Sequence, residues 1–197
     1  MIVEGIVSTR GKSGILNIAP MGARLVQDFH RFRLRPFPTS TTYQNLLEIG
    51  EGVFHITDDV VQIAKGAIGE TIDSSTREAR RVNGCVLLNS CRYYEFKILE
   101  QEESTGPASF LVETVETGHF RDFLGFNRAK HAVIEAAILA TRLHILPIES
   151  IQSDFAKLRI IVEKTAGPDE FEAFSLLDVY LQKQLREKDG KIGRTEA

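Results

Sequence analysis

Apolar and polar residues alternate along the first part of the chain, and the pattern changes to a helical spacing near Gly125. Ile2 to Thr9 is rich in β-branched residues and reads as a strand, followed by the turn-forming run Arg10-Gly11-Lys12-Ser13-Gly14. Ile15 to Ala19 predicts a second short strand, stopped by Pro20. From Asp28 to Phe37 the alternation puts Phe32, Leu34 and Pro36 on one face and Arg31, Arg33 and Arg35 on the other. A short helix is expected over Thr41 to Ile49, with Gly50 just past its end. Val53 to Thr57 is a strand, and Asp58-Asp59 can cap a further short helix reaching Lys65. Arg92 to Glu100 and Ala108 to Thr117 predict a long antiparallel hairpin across the polar linker Gln101 to Pro107. The stretch Gly66 to Val82 is ambiguous: Asp73-Ser74-Ser75-Thr76 heads either a helix carrying Arg77, Arg80 and Arg81 or a loop.

Beyond Gly125 the expected elements are helices. Asn127 can cap a helix over Arg128 to His144, whose apolar face is Ala132, Val133, Ala136, Ala137, Leu139, Ala140 and Leu143. Pro147 opens a second helix to about Lys164, Gly167-Pro168 breaks it, and a third spans Asp169 to Glu187. The expectation is an α+β chain: a β-barrel-like domain over 1–125, a helical extension over 126–187, and a polar, flexible tail over 188–197.

Composition narrows the class. The 197 residues suit one domain, or one domain with a modest appendage, and 43% hydrophobic with 26% charged residues is an ordinary globular mixture. A net charge of −3 argues against nucleic acid as the main partner. No apolar run is long enough to span a bilayer, and Met1-Ile2-Val3-Glu4 does not open a signal peptide, so the cytoplasm is the expected location. Cys85 and Cys91 lack metal-ligand or redox-pair spacing, and the five histidines show no ligand spacing, so neither a disulfide nor a metal is expected.

Two segments carry candidate chemistry. In Arg35-Pro36-Phe37-Pro38-Thr39-Ser40-Thr41-Thr42-Tyr43-Gln44-Asn45, a strand ends at two prolines and four hydroxyl residues fall where a helix begins. Hydroxyls, unpaired N–H groups, the positive end of the helix dipole and an arginine together suit a phosphate; equally, Thr39 or Ser40 can be a plain helix cap. Leu16-Asn17-Ile18-Ala19-Pro20-Met21-Gly22 is a strand ending in small residues that lets a flat ligand approach the backbone. Asn17 offers an amide to a ring edge, and Met21 offers polarizable packing. No nucleophile–base pair is legible.

The ordered set of these segments resembles the flavin-reductase-like FMN-binding split barrels. The residues that carry the likeness are Asn17, Ala19, Pro20, Met21 and Gly22, then Arg35 to Leu46, then Gly50 to Asp59. More narrowly, the chain is similar to an archaeal and bacterial branch with Gly125 to Ala129 and Ala140 to Pro147 in its helical part. The resemblance implies a six-stranded split barrel that forms a homodimer with FMN near the interface. It puts the hydroxyl run Thr39, Ser40, Thr41 and Thr42 on the phosphate, neutralised by Arg35 or alternatively by Arg31 or Arg33, puts Asn17, Ala19, Pro20 and Met21 beside the ring, and counts Asn45 among the cofactor-binding residues. Asn127 and Arg128 either reach the ligand or only start a helix. An FMN-dependent oxidoreductase fed by a nicotinamide or deazaflavin donor is the first functional expectation. The alternatives are a non-catalytic flavin-binding, sensing or carrier protein, or a barrel dimer that has lost flavin.

Overall fold

The computed structural model describes residues 1–102 and 108–192, and only the backbone for 188–192. Contacts divide the chain into two compact units, Met1–Asp58 with Asp73–Leu124 and Asp59–Ile72 with Gly125–Ala197. The first unit holds eight strands: β1 (Ile2–Arg10), β2 (Leu16–Gln27), β3 (Arg31–Leu34), β4 (Glu51–Ile56), β5 (Thr76–Glu78), β6 (Cys85–Leu87), β7 (Arg92–Glu102) and β8 (Ser109–His119). It also holds helix α1 (Thr41–Ile49). Six strands close into an antiparallel barrel in the order β1-β2-β3-β8-β7-β4, and β5 pairs with β6 as a separate two-stranded sheet. The barrel interior is aromatic: Phe32, Phe54, Phe96 and Phe110 are fully buried, with Val7, Leu34 and Val112 between them and Leu46 of α1 joining the same cluster. The six-stranded split barrel with following helices is the expected fold.

Local chemistry sets the ends of α1. Ser40 Oγ accepts from Tyr43 N at 3.2 Å, and Gly50, at φ 73°, returns its N–H to Leu46 O. That left-handed conformation favours glycine. The expected stop of the second strand at Pro20 is corrected: β2 continues to Gln27. Pro20 sits opposite Ile6 of β1, and residues 16–22 pair with β1 alone because β3 joins β2 only from Ala23. An imino acid is tolerated where its nitrogen faces an open strand edge, so the proline does not end the strand. The third expected strand is shorter than predicted, since Asp28 takes φ 47° and Arg31 begins the pairing.

The alternative of a helix over Arg77 to Arg81 is also corrected. The segment forms strand β5 and a turn to β6, drawn onto the barrel by partners distant in sequence. Ser8 Oγ donates to Cys85 O, Leu87 N donates to His55 Nε2 at 3.1 Å, and Arg80 N and Arg81 N donate to the buried Glu95 carboxylate. The hairpin β7–β8 is present with two bulges, and residues 103–107 of its predicted linker lie outside the described residues.

The second unit contains α2 (Val60–Ala67), α3 (Arg128–Thr141), α4 (Ile148–Thr165) and α5 (Pro168–Ile192). Asp59 caps α2, so the short helix predicted after Asp58-Asp59 is present. Asn127 caps α3 through Lys130 N at 3.1 Å and donates to Thr165 O at 3.1 Å, so both ends of its amide are spent on helices. Ala129, Val133, Ala136, Ile151, Phe155, Phe174 and Leu177 are buried. Lys130 and Glu170 form an ion pair at 2.8 Å that is nearly closed to solvent. The backbone of α5 extends past the expected end at Glu187 to Ile192, and the rest of the predicted tail, from 193, lies outside the described residues. No described helix is long and apolar enough to cross a membrane.

His55 gives the barrel a measurable pH dependence. Its ring is fully buried; Nδ1 donates to Ile6 O at 3.1 Å while Nε2 accepts from Leu87 N, an arrangement only the neutral imidazole can make. Burial lowers its pKa from the ordinary 6.5 to about 4. The unfolded chain therefore takes up this proton first, so the contribution is complete above about pH 6.5 and is lost as pH falls toward 4. The interval corresponds to about 3 kcal/mol. Urea midpoints should fall between pH 6.5 and 5, and a His55→Gln variant should show a flatter dependence there; an unchanged slope would remove His55 as its origin.

Candidate functional site

The open stretch of β2 is the site's main feature. Ile6 and Pro20 cannot exchange a pair of backbone hydrogen bonds, since Pro20 has no N–H, so the exchanging pairs are Gly5–Met21, Val7–Ala19 and Thr9–Asn17. Ile18 N–H and the carbonyls of Ile18 and Pro20 consequently turn to the other edge, where no described strand pairs with them. Residues Asn17, Ile18, Ala19, Pro20 and Met21 are all half-buried despite lying in a barrel strand. A strand edge with free donors and acceptors beside small, partly exposed side chains suits the polar rim of a planar ring.

At the neighbouring corner the chain leaves β3 at Arg35 and enters α1 at Ser40. Ser40 serves as the cap: its hydroxyl donates to Phe37 O at 2.7 Å and accepts from Tyr43 N. Thr39 and Thr41 are exposed, and Thr41 N and Thr42 N, the first helical donors, have no acceptor among the described residues. The first turn contains no acidic residue. Such a terminus favours an anion through its free N–H groups and dipole.

The three arginines of β3 and its exit differ in their partners. Arg31 makes two bonds to Glu113, at 3.1 and 2.7 Å, and Arg33 pairs with Glu102 at 2.8 Å. Arg35 is exposed and has no ion pair among the described residues, which leaves its guanidinium available.

The remaining predicted residues form an internal polar cluster. Asn17 Nδ2 donates to Thr42 Oγ1 at 3.0 Å and lies 3.4 Å from Thr9 Oγ1, and Asn45 Nδ2 donates to Thr9 Oγ1 at 3.1 Å. Thr9, Thr42 and Asn45 are 0%, 2% and 6% exposed. The cluster ties the first turn of α1 to β1 and β2, and so fixes the hydroxyl corner relative to the open edge. Sequence reasoning missed Thr9 as the shared acceptor. A β-branched polar residue at the end of a strand has no distinctive signal.

Neither thiol is an evident nucleophile. Cys85 and Cys91 are free and buried, and burial raises both pKa values. Among the described residues, no group of three or more His, Cys, Asp or Glu side chains is arranged to hold a metal.

These features define a six-stranded split barrel followed by helices. The chain belongs to the family described as proteins of unknown function (DUF447), matching its N-terminal domain model over residues 3–120 and the accompanying C-terminal model over 127–178. An FMN-bound protein of the same family from Methanosarcina mazei is 20% identical in sequence; the match covers 91% of this chain and 94% of that one, with a TM-score of 0.81. Flavoredoxin of Desulfovibrio vulgaris is 13% identical over 60% of this chain and 69% of its own, at 0.51. A protein with a split barrel domain from Shewanella frigidimarina is 12% identical over 61% and 67%, also at 0.51. No curated protein matches the sequence closely enough to count as a relative.

Thr9→Val tests the polar cluster. The substitution keeps the shape but removes the acceptor of the buried Asn45 amide, and stability should fall by about 1–3 kcal/mol in urea unfolding. A loss near zero would show that the cluster does not hold α1 in place.

Proposed function

We propose that this chain binds FMN along the open edge of β2 and acts as an FMN-dependent oxidoreductase in the cytoplasm, with the flavin near a homodimer interface. The observation that carries the reading is the unpaired Ile18–Pro20 edge beside an anion-favouring helix start. The FMN held by the Methanosarcina mazei protein supports it. The residues present fit the group: Arg35, Thr39, Thr41 and the N–H groups of Thr41 and Thr42 would hold the phosphate, while β2 from Asn17 to Met21 would flank the ring. Ser40, Thr42 and Asn45 would contribute chiefly by fixing the helix start.

Bound FMN supplies hydride and electron transfer, which the side chains cannot provide. The strand edge would orient the ring through Ile18 N–H and the two free carbonyls. Met21 would pack against the ring face. A nicotinamide or deazaflavin cofactor would donate electrons. The second reading is a flavin carrier or sensor without turnover, favoured by the absence of a recognisable acid–base pair among the described residues. Anaerobic mixing of FMN-loaded protein with NADH, NADPH or a reduced deazaflavin separates the two: bleaching of the flavin band supports the oxidoreductase, and an unchanged band with every donor supports the carrier.

Arg35→Ala should weaken FMN binding about tenfold or more while affecting riboflavin little, because a charge-assisted hydrogen bond contributes about 1.5–3 kcal/mol. Thr41→Ala should cost less, at roughly 1 kcal/mol. Fluorescence titration with both flavins checks the ranking; equal losses for FMN and riboflavin would rule out a phosphate role for Arg35.

A further inference from the structure

The open stretch of β2 is unbalanced in its hydrogen-bonding groups. From Leu16 to Gly22 the strand pairs with β1 alone, and the alternation of that ladder turns the main-chain groups of Ile18 and Pro20 away from β1. A residue facing an open edge ordinarily offers one N–H and one carbonyl. Ile18 offers both. Pro20 offers only its carbonyl, because its nitrogen carries no hydrogen. The edge from Ile18 to Pro20 therefore presents one donor and two acceptors, none of them partnered among the described residues. Both residues are half-buried, so water satisfies these groups only in part and a mismatched ligand is penalised.

An isoalloxazine ring answers such an edge differently in its two oxidation states. Oxidised, the ring carries a single N–H, at N3, and acceptors at N1, O2, O4 and N5. Two-electron reduction places a hydrogen on N5, and another on N1 in the neutral form, so that acceptors become donors. Two protein carbonyls thus meet one ring N–H before reduction and at least two after it. A carbonyl set against a ring acceptor leaves both without a bond, whereas the same carbonyl against N5–H is satisfied.

We propose that the Ile18–Pro20 edge selects reduced FMN over oxidised FMN, and that Pro20 sets this preference by deleting a donor from the edge. The inference rests on the flavin reading above and gives it a direction. A hydride from a reduced nicotinamide or deazaflavin delivers both electrons and the N5 hydrogen, and leaves that donor oxidised. The reduced ring then stays on the strand, because its new N–H has a carbonyl to meet. A protein built in this way keeps its reduced flavin and passes electrons to an acceptor that comes to it; it does not supply free reduced flavin to another protein.

Anaerobic titrations of the full chain with oxidised FMN and with dithionite-reduced FMN test the assignment, together with spectroelectrochemical titration of the bound flavin. Reduced FMN should bind about tenfold more tightly than oxidised FMN, the equivalent of one hydrogen bond. The midpoint potential of the bound flavin should accordingly lie about 30 mV above that of free FMN, since a two-electron couple shifts by that amount for each tenfold. Riboflavin should show the same preference, because it has the ring and lacks the phosphate. Pro20→Ala returns an N–H to the edge and should reduce the preference several-fold, chiefly by tightening oxidised FMN. Ile18→Val changes a side chain but none of the main-chain groups, and should keep the wild-type preference. Failure of both oxidised and reduced FMN to bind would overturn the flavin reading and this inference with it. Binding with an unshifted or lowered potential, or a Pro20→Ala variant that retains the full preference, would overturn this inference alone.

Discussion

Backbone hydrogen bonding governs this molecule. A closed antiparallel barrel satisfies much of its main-chain hydrogen bonding by pairing strands on both sides, and residues 16–22 of β2 are an exception, paired with β1 alone. Pro20 makes that exception structurally cheap, because it removes one donor from the edge that has no partner. The same departure of β3 from β2 sends the chain through Arg35 and two prolines into α1. One topological fact therefore produces both the free strand edge and the adjacent helix start, and a ligand with a flat polar end and an anionic end could use both.

Buried polar groups then hold this arrangement in register. Thr9, Asn17, Thr42 and Asn45 satisfy one another across two strands and a helix. His55 and Glu95 do the same for the β5–β6 sheet, each by binding main chain rather than another side chain. These contacts act as fasteners: they add directional constraints to an aromatic interior that would tolerate several packings. Their cost is sensitivity, since removing either partner leaves a desolvated group behind.

Features determined within a few residues were legible in the sequence. The limits of α1 follow from Ser40 and Gly50, the start of α3 from Asn127, and the two faces of β3 from strict alternation. Features that depend on distant partners were not. The persistence of β2 past Pro20 depends on which edge lies open, and the turn before β6 depends on Glu95, far along the chain. The candidate phosphate corner was visible as composition, but the division between exposed Thr39 and Thr41 and buried Thr42 and Asn45 required the position of Thr9. The partners of Arg31 and Arg33 likewise lie on β7 and β8, so only the folded chain separates Arg35 from its neighbours.

The fit between Gly11 and Asn45 has an evolutionary consequence. A Cβ placed on Gly11 would lie 2.7 Å from Asn45 Oδ1, closer than packed atoms approach. The amide itself is committed to Thr9. Drift at either position is therefore conditional on the other: a lineage must first give up the amide, or shift the helix that bears it, before a side chain can be accepted in the β1–β2 turn. The two sites should change together or stay fixed together, so that the small residue in an otherwise permissive surface turn records the presence of the buried network beneath it.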